Sequence, residues 1–103
     1  MNKVVIDGKV AVLYSPGFGG GWSTWSDGNN DMIFDSVIVD AVENSLPFGR
    51  IQEYMEATYP NAYCGAYSDL EIMWIEEGTN FKIDEYDGSE AIVIEDKDYW
   101  IIA

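Results

Sequence analysis

Two of the three Asp-Gly dipeptides, Asp7-Gly8 and Asp87-Gly88, constrain the fold of this chain more than any other feature, because each, unlike Asp27-Gly28, lies between runs of β-branched and apolar residues. A two-residue turn that follows the natural twist of paired strands needs positive φ at both positions, which Asp tolerates and Gly adopts freely. Val4-Val5-Ile6 and Val10-Ala11-Val12-Leu13-Tyr14 therefore read as one hairpin, and Asp87-Gly88 leads into Ala91-Ile92-Val93-Ile94 as the second half of another. Leu70, Ile72 and Trp74 are spaced to share one face of a further strand. After the turn Glu76-Glu77-Gly78, Phe81 and Ile83 alternate with Asn80, Lys82 and Asp84, and Tyr99-Trp100-Ile101-Ile102 supplies a last β element.

In mid-chain the period changes from two to that of a helix. Val37, Ile38, Ala41 and Val42 fall on one helical face and Asp40, Glu43 and Asn44 on the other, with Asp35 or Ser36 placed to cap the start. Leu46-Pro47 interrupts this helix. A second is predicted from about Phe48, with Ile51, Tyr54, Met55 and Tyr59 inward and Gln52, Glu53 and Glu56 outward, until Pro60 ends it. The order ββ, αα, then about four β elements predicts an α+β fold: a mainly antiparallel sheet of about five to six strands with two short helices packed on one face. At 103 residues the chain fits a single domain, 1–103, and its 48% hydrophobic content is enough for a core.

Charge bounds the partners. Nineteen Asp and Glu against five Lys and Arg, with no His, leave a formal net charge of -14 at pH 7. A field of that sign repels bare nucleic acid and anionic membrane and steers toward basic surfaces, commonly those with which other proteins hold nucleic acid. The same charge also serves plain solubility. The carboxylates predicted to meet a partner are Glu53, Glu56, Glu76, Glu77, Asp84, Glu85, Asp87 and Glu90. Carboxylates repeated along one face would imitate a phosphate backbone and bind Arg and Lys through charge-assisted bonds.

The residue inventory narrows the chemistry further. Without His, Ser-His and Cys-His nucleophilic mechanisms are excluded, and Cys64, the single cysteine, has no neighbour to activate it and no partner for an intrachain disulfide. No enzyme, cofactor or metal is predicted. Asp84-Glu85-Tyr86-Asp87-Gly88-Ser89-Glu90 is rich in oxygen but lacks calcium-loop spacing, as does the cluster Asp27, Asn29, Asp31. No signal sequence or membrane-length apolar run is read, and a reducing cytoplasm is the expected location.

The loop Ser15-Pro16-Gly17-Phe18-Gly19-Gly20-Gly21-Trp22-Ser23-Thr24-Trp25 departs from the dinucleotide fingerprint, because Trp22 stands where its third glycine belongs. Phe18, Gly19, Gly20, Trp22 and Trp25 are nonetheless candidate contacts, with the aromatic residues either exposed as anchors or plugging one end of the sheet.

Tyr14-Ser15-Pro16-Gly17-Phe18 leading to Gly21-Trp22-Ser23-Thr24-Trp25, the segment Tyr59-Pro60-Asn61-Ala62-Tyr63-Cys64-Gly65, and Glu77-Gly78-Thr79 followed by Glu85-Tyr86-Asp87-Gly88-Ser89-Glu90 together resemble small proteins of bacteriophages and prophages. That resemblance spans most of the chain and implies no catalytic residues. By class, short acidic phage proteins are similar to anti-CRISPR and other anti-defence inhibitors, some of which mimic nucleic acid while others sequester nucleotide signals. The expected function is an inhibitor or adaptor docking on a basic protein surface. The alternatives are a nucleotide binder using the glycine loop and a phage assembly component, and a homo-oligomer stays open.

Overall fold

The computed structural model describes residues 3–17, 22–25, 30–60, 69–94 and 101–103. Among these are six strands, β1 (Val5–Ile6), β2 (Lys9–Tyr14), β3 (Glu71–Glu76), β4 (Asn80–Tyr86), β5 (Ser89–Ile94) and β6 (Ile101–Ile102). Two helices, α1 (Ser36–Glu43) and α2 (Phe48–Thr58), lie between β2 and β3, and 3-10 turns cover Ser23–Trp25 and Asn30–Phe34. The α+β architecture is as the sequence predicts. The strands divide into two antiparallel sheets, ordered β1-β2-β3 and β5-β4-β6, where the spacing alone suggested one.

Both Asp-Gly turns form. Asp7 and Gly8 sit at φ 53° and 76°, and Asp87 and Gly88 at 53° and 86°, each between directly paired residues, Ile6 with Lys9 and Tyr86 with Ser89. Nothing lies within 4 Å of a Cβ built on Gly8, so backbone strain alone sets the effect of a substitution there. Gly8→Ala is expected to destabilise the protein by about 1 kcal/mol, whereas Gly49→Ala, with equally open space inside α2, should stabilise it by about 0.5–1 kcal/mol. Urea midpoints of the two variants should move in opposite directions.

Asp35 caps α1: Oδ1 accepts from Val37 N at 2.9 Å and Ile38 N at 3.3 Å. The helix ends in a Schellman turn, in which Ser45 takes φ 53° while Leu46 N reaches Ala41 O and Ser45 N reaches Val42 O. Ile38, Val39 and Ala41 are buried, and Val37, expected to face inward, is 50% exposed. The buried stripe centres on Ile38 and Val42, so Val37 falls at its edge. In α2, Ile51 and Met55 are buried, Tyr54 and Tyr59 half-buried, and Gln52, Glu53 and Glu56 exposed, as the spacing predicts.

One core joins the two sheets. Val10, Ala11, Val12 and Leu13 are all fully buried, so both faces of central β2 are covered, and the strand meets the 30–34 turn, α1 and β5. Burial of Val10, Val12 and Leu13 contributes about 1.5–3 kcal/mol each. β3 pairs with β2 over six positions, Lys9 with Glu76 through Tyr14 with Glu71. Leu70 is buried and Ile72 and Trp74 are half-buried on the face expected for them, and the two-sided burial of the neighbouring strand goes with cover on the other face as well, where Met73 is half-buried and Ile75 buried. Phe81 of β4 reaches the core and meets the Phe34 ring edge-on, centroids 6.2 Å apart.

Candidate functional site

Position 90 falls at the start of β5 with the parity of Ile92, opposite Glu85 on the face that carries Phe81 and Ile83. That parity turns the Glu90 side chain inward, where it is 1% exposed. Its carboxylate gathers four donors: Oε1 accepts from Ser15 N at 2.9 Å, and Oε2 from Trp22 N at 3.0 Å, Thr24 N at 2.9 Å and Thr24 Oγ1 at 2.6 Å. Glu90 N also donates to Ser15 O at 2.8 Å, and Ser89 Oγ to Pro16 O at 2.7 Å. The two ends of the glycine-rich segment are thus clasped by one side chain. Backbone amides that could cradle a phosphate at Ser15, Trp22 and Thr24 already hold the protein's own carboxylate.

A second carboxylate is satisfied in the same manner. Asp35 is 2% exposed, and beyond its cap bonds its Oδ2 accepts from Tyr54 Oη at 2.8 Å and Tyr59 Oη at 2.6 Å. Burial, then the bond to Asp35, raises both phenols above their usual range. No cation pairs with Asp35 or Glu90 among the described residues, so each buried charge is held by four neutral donors.

Several sequence-predicted contacts therefore move. Glu90 is not part of an acidic surface, since β5 turns it into the interior. Trp22 is fully buried and cannot serve as a loop contact or stack on a base, because its backbone is drawn inward to Glu90. Phe18, Gly19 and Gly20 lie outside the described residues, as do Cys64 and the side chain of Trp25. The other seven carboxylates are exposed but fall in three places: Glu53 and Glu56 on α2, Glu76 and Glu77 at the end of β3, and Asp84, Glu85 and Asp87 at the β4–β5 hairpin. The last two groups sit at opposite ends of β4, about 20 Å apart at ~3.3 Å per residue. Asp84 and Glu85 also point to opposite faces of the strand, so no phosphate-like ladder runs along β4.

Comparison with protein-family models, curated proteins and solved structures gives no match. The site rests on geometry.

Sequence reasoning missed Tyr86. It is 79% exposed, more than any other large apolar or aromatic side chain described, and stands in the last pair before the turn, opposite Ser89. Its signal was available: an aromatic residue with carboxylates on both sides and no apolar residue across the hairpin. Asp84 shares its face and pairs with Lys82 at 3.3 Å, while Glu85 Oε2 accepts from Gly88 N at 2.9 Å and braces the turn. Among the described residues no three carboxylates or thiols gather closely enough to hold a metal ion, and no helix is long and apolar enough to cross a membrane.

Proposed function

We propose that this protein is a small acidic binding protein that docks on a basic, nucleic-acid-binding surface of another protein, with the β4–β5 hairpin as a contact element. The carrying observation is Tyr86, an exposed aromatic side chain in the last pair before a two-residue turn, with exposed Asp84 on its own strand face and exposed Asp87 next to it in the turn. Aromatic anchors dominate interface energetics, and a ring flanked by carboxylates suits Arg in particular, which can stack on the ring and pair with the acids. A rigid hairpin loses little conformational freedom on docking. The resemblance to phage proteins makes a host nucleic-acid-binding enzyme the natural target, which the acidic surface would inhibit by occupying its groove.

The test is capture from host lysate on the immobilised protein at low salt. A basic protein should be retained and released by added DNA. A variant carrying Asp84→Asn, Tyr86→Ser and Asp87→Asn, all exposed positions, should retain at least about tenfold less with an unchanged melting temperature. Retention of no basic protein, or equal retention by the variant, would refute the proposal.

A further inference from the structure

β3 is the outer strand of its sheet. Glu77 N donates to Gly8 O, so by the alternation of an antiparallel ladder Ile75, Met73 and Glu71 bond to β2 as well, while Ile72 and Trp74 turn their N–H and C=O groups the other way. Ala11 fits that alternation, since it lies opposite Trp74 and its N–H goes to Val4 O on the β1 side. Among the described residues no backbone group bonds to Ile72 or Trp74 from the outer side. The other strand edges are shorter or partly taken: β1 and β6 have two residues each, and β5 is met at Glu90 N by Ser15 O.

An open edge of this length accepts a further strand. A second copy of the chain is a poor occupant. Antiparallel copies must match outward residues with outward residues, so a full overlap centres on Met73 or Trp74 and sets Glu77 directly across Asp69 or Glu71 of the copy, all of them exposed acids. Within the sheet neither Glu71 nor Glu77 faces a base, because Tyr14 lies across from the first and Gly8 from the second. We infer that the β3 edge takes up, in the antiparallel sense, an extended segment of a basic protein with Lys or Arg opposite Glu71 and Glu77 and apolar residues between them. Main-chain bonds to Ile72 and Trp74 hold the segment, and the two carboxylates select it. This rests on the proposed docking to basic proteins and adds a contact element separate from the hairpin.

Two end-capped synthetic peptides, as long as the stretch from Glu71 to Glu77, test this by amide hydrogen exchange. They share a valine–threonine centre and differ only at the first and last residues, lysine in one and glutamate in the other. In the free protein the amides of Ile72 and Trp74 should exchange at least about tenfold faster than those of Met73 and Ile75, which are bonded to β2. The lysine-ended peptide at saturation should slow Ile72 and Trp74 at least about tenfold, and the glutamate-ended peptide should leave them unchanged. Glu71→Lys with Glu77→Lys, both at exposed positions, should reverse the preference between the peptides at an unchanged melting temperature. Slow exchange of Ile72 and Trp74 in the free protein at every concentration would mean that the edge is already covered, and protection that grows with protein concentration would give it to a second copy. Either result overturns the inference, as do equal effects of the two peptides, no protection by the lysine-ended one, or a double variant that keeps the natural preference. Capture of a basic protein through the hairpin is read separately, so its persistence alongside any of these results leaves the docking proposal standing.

Discussion

Glu90→Ala is expected to lower the melting temperature by about 20 °C. Four donors, from Ser15, Trp22 and Thr24, lose their acceptor at once, and the Ser15 and Trp22 bonds are buried away from water. Stranding buried donors in this way costs about 3–5 kcal/mol, which in a domain of this size corresponds to that shift. Glu90→Gln gives a graded control. Its amide oxygen can take the place of Oε2 and keep three of the bonds, but its NH₂ then faces Ser15 N, so about half the loss is expected. Near-ultraviolet dichroism should report the release of Trp22 in the alanine variant. An unchanged melting temperature for Glu90→Ala would mean that the clasp does not hold the glycine-rich segment.

Asp35→Ala should follow closely, at about 3 kcal/mol. It removes the cap of α1, an effect of about 1 kcal/mol, and leaves the phenols of Tyr54 and Tyr59 without their acceptor. Asp35→Asn retains a cap and should lose less. The same cluster sets an alkaline limit. Both phenols are raised in the folded state, so they stay protonated there after they would ionise in the unfolded chain. Their contribution is fully present below pH ~10, the usual phenol value, and is lost as pH rises above it. Urea unfolding between pH 8 and 11.5 should show stability falling beyond pH ~10 in the natural protein and falling less steeply in Asp35→Asn.

The parts of the fold that the sequence made legible are those governed by local stereochemistry. Asp7-Gly8 and Asp87-Gly88 demanded positive φ and produced hairpins; Asp35 and Pro60 bounded the helical region. What stayed hidden depends on contacts between distant positions. Nothing near Glu90 in sequence indicates that Ser15 and Thr24, 75 and 66 residues away, will turn their amides toward it, and so its carboxylate reads as one more surface acid. The split into two sheets is equally non-local, since β3 pairs with β2 from the other end of the chain while β4 pairs with β5 and β6. Val37 and Tyr86 illustrate a third limit. Periodicity identifies apolar and alternating faces, but only the packed neighbours decide which of them is left open.

The proposed recognition of a basic partner rests on the carboxylates that stay exposed once Asp35 and Glu90 are taken inside, in a molecule of net charge -14. Its most direct test is the affinity of the captured partner as a function of salt. Between about 50 and 200 mM salt the affinity should fall at least about tenfold, as charge-steered contacts are screened. An affinity that stays flat across that range, with Asp84 and Asp87 intact, would contradict the account.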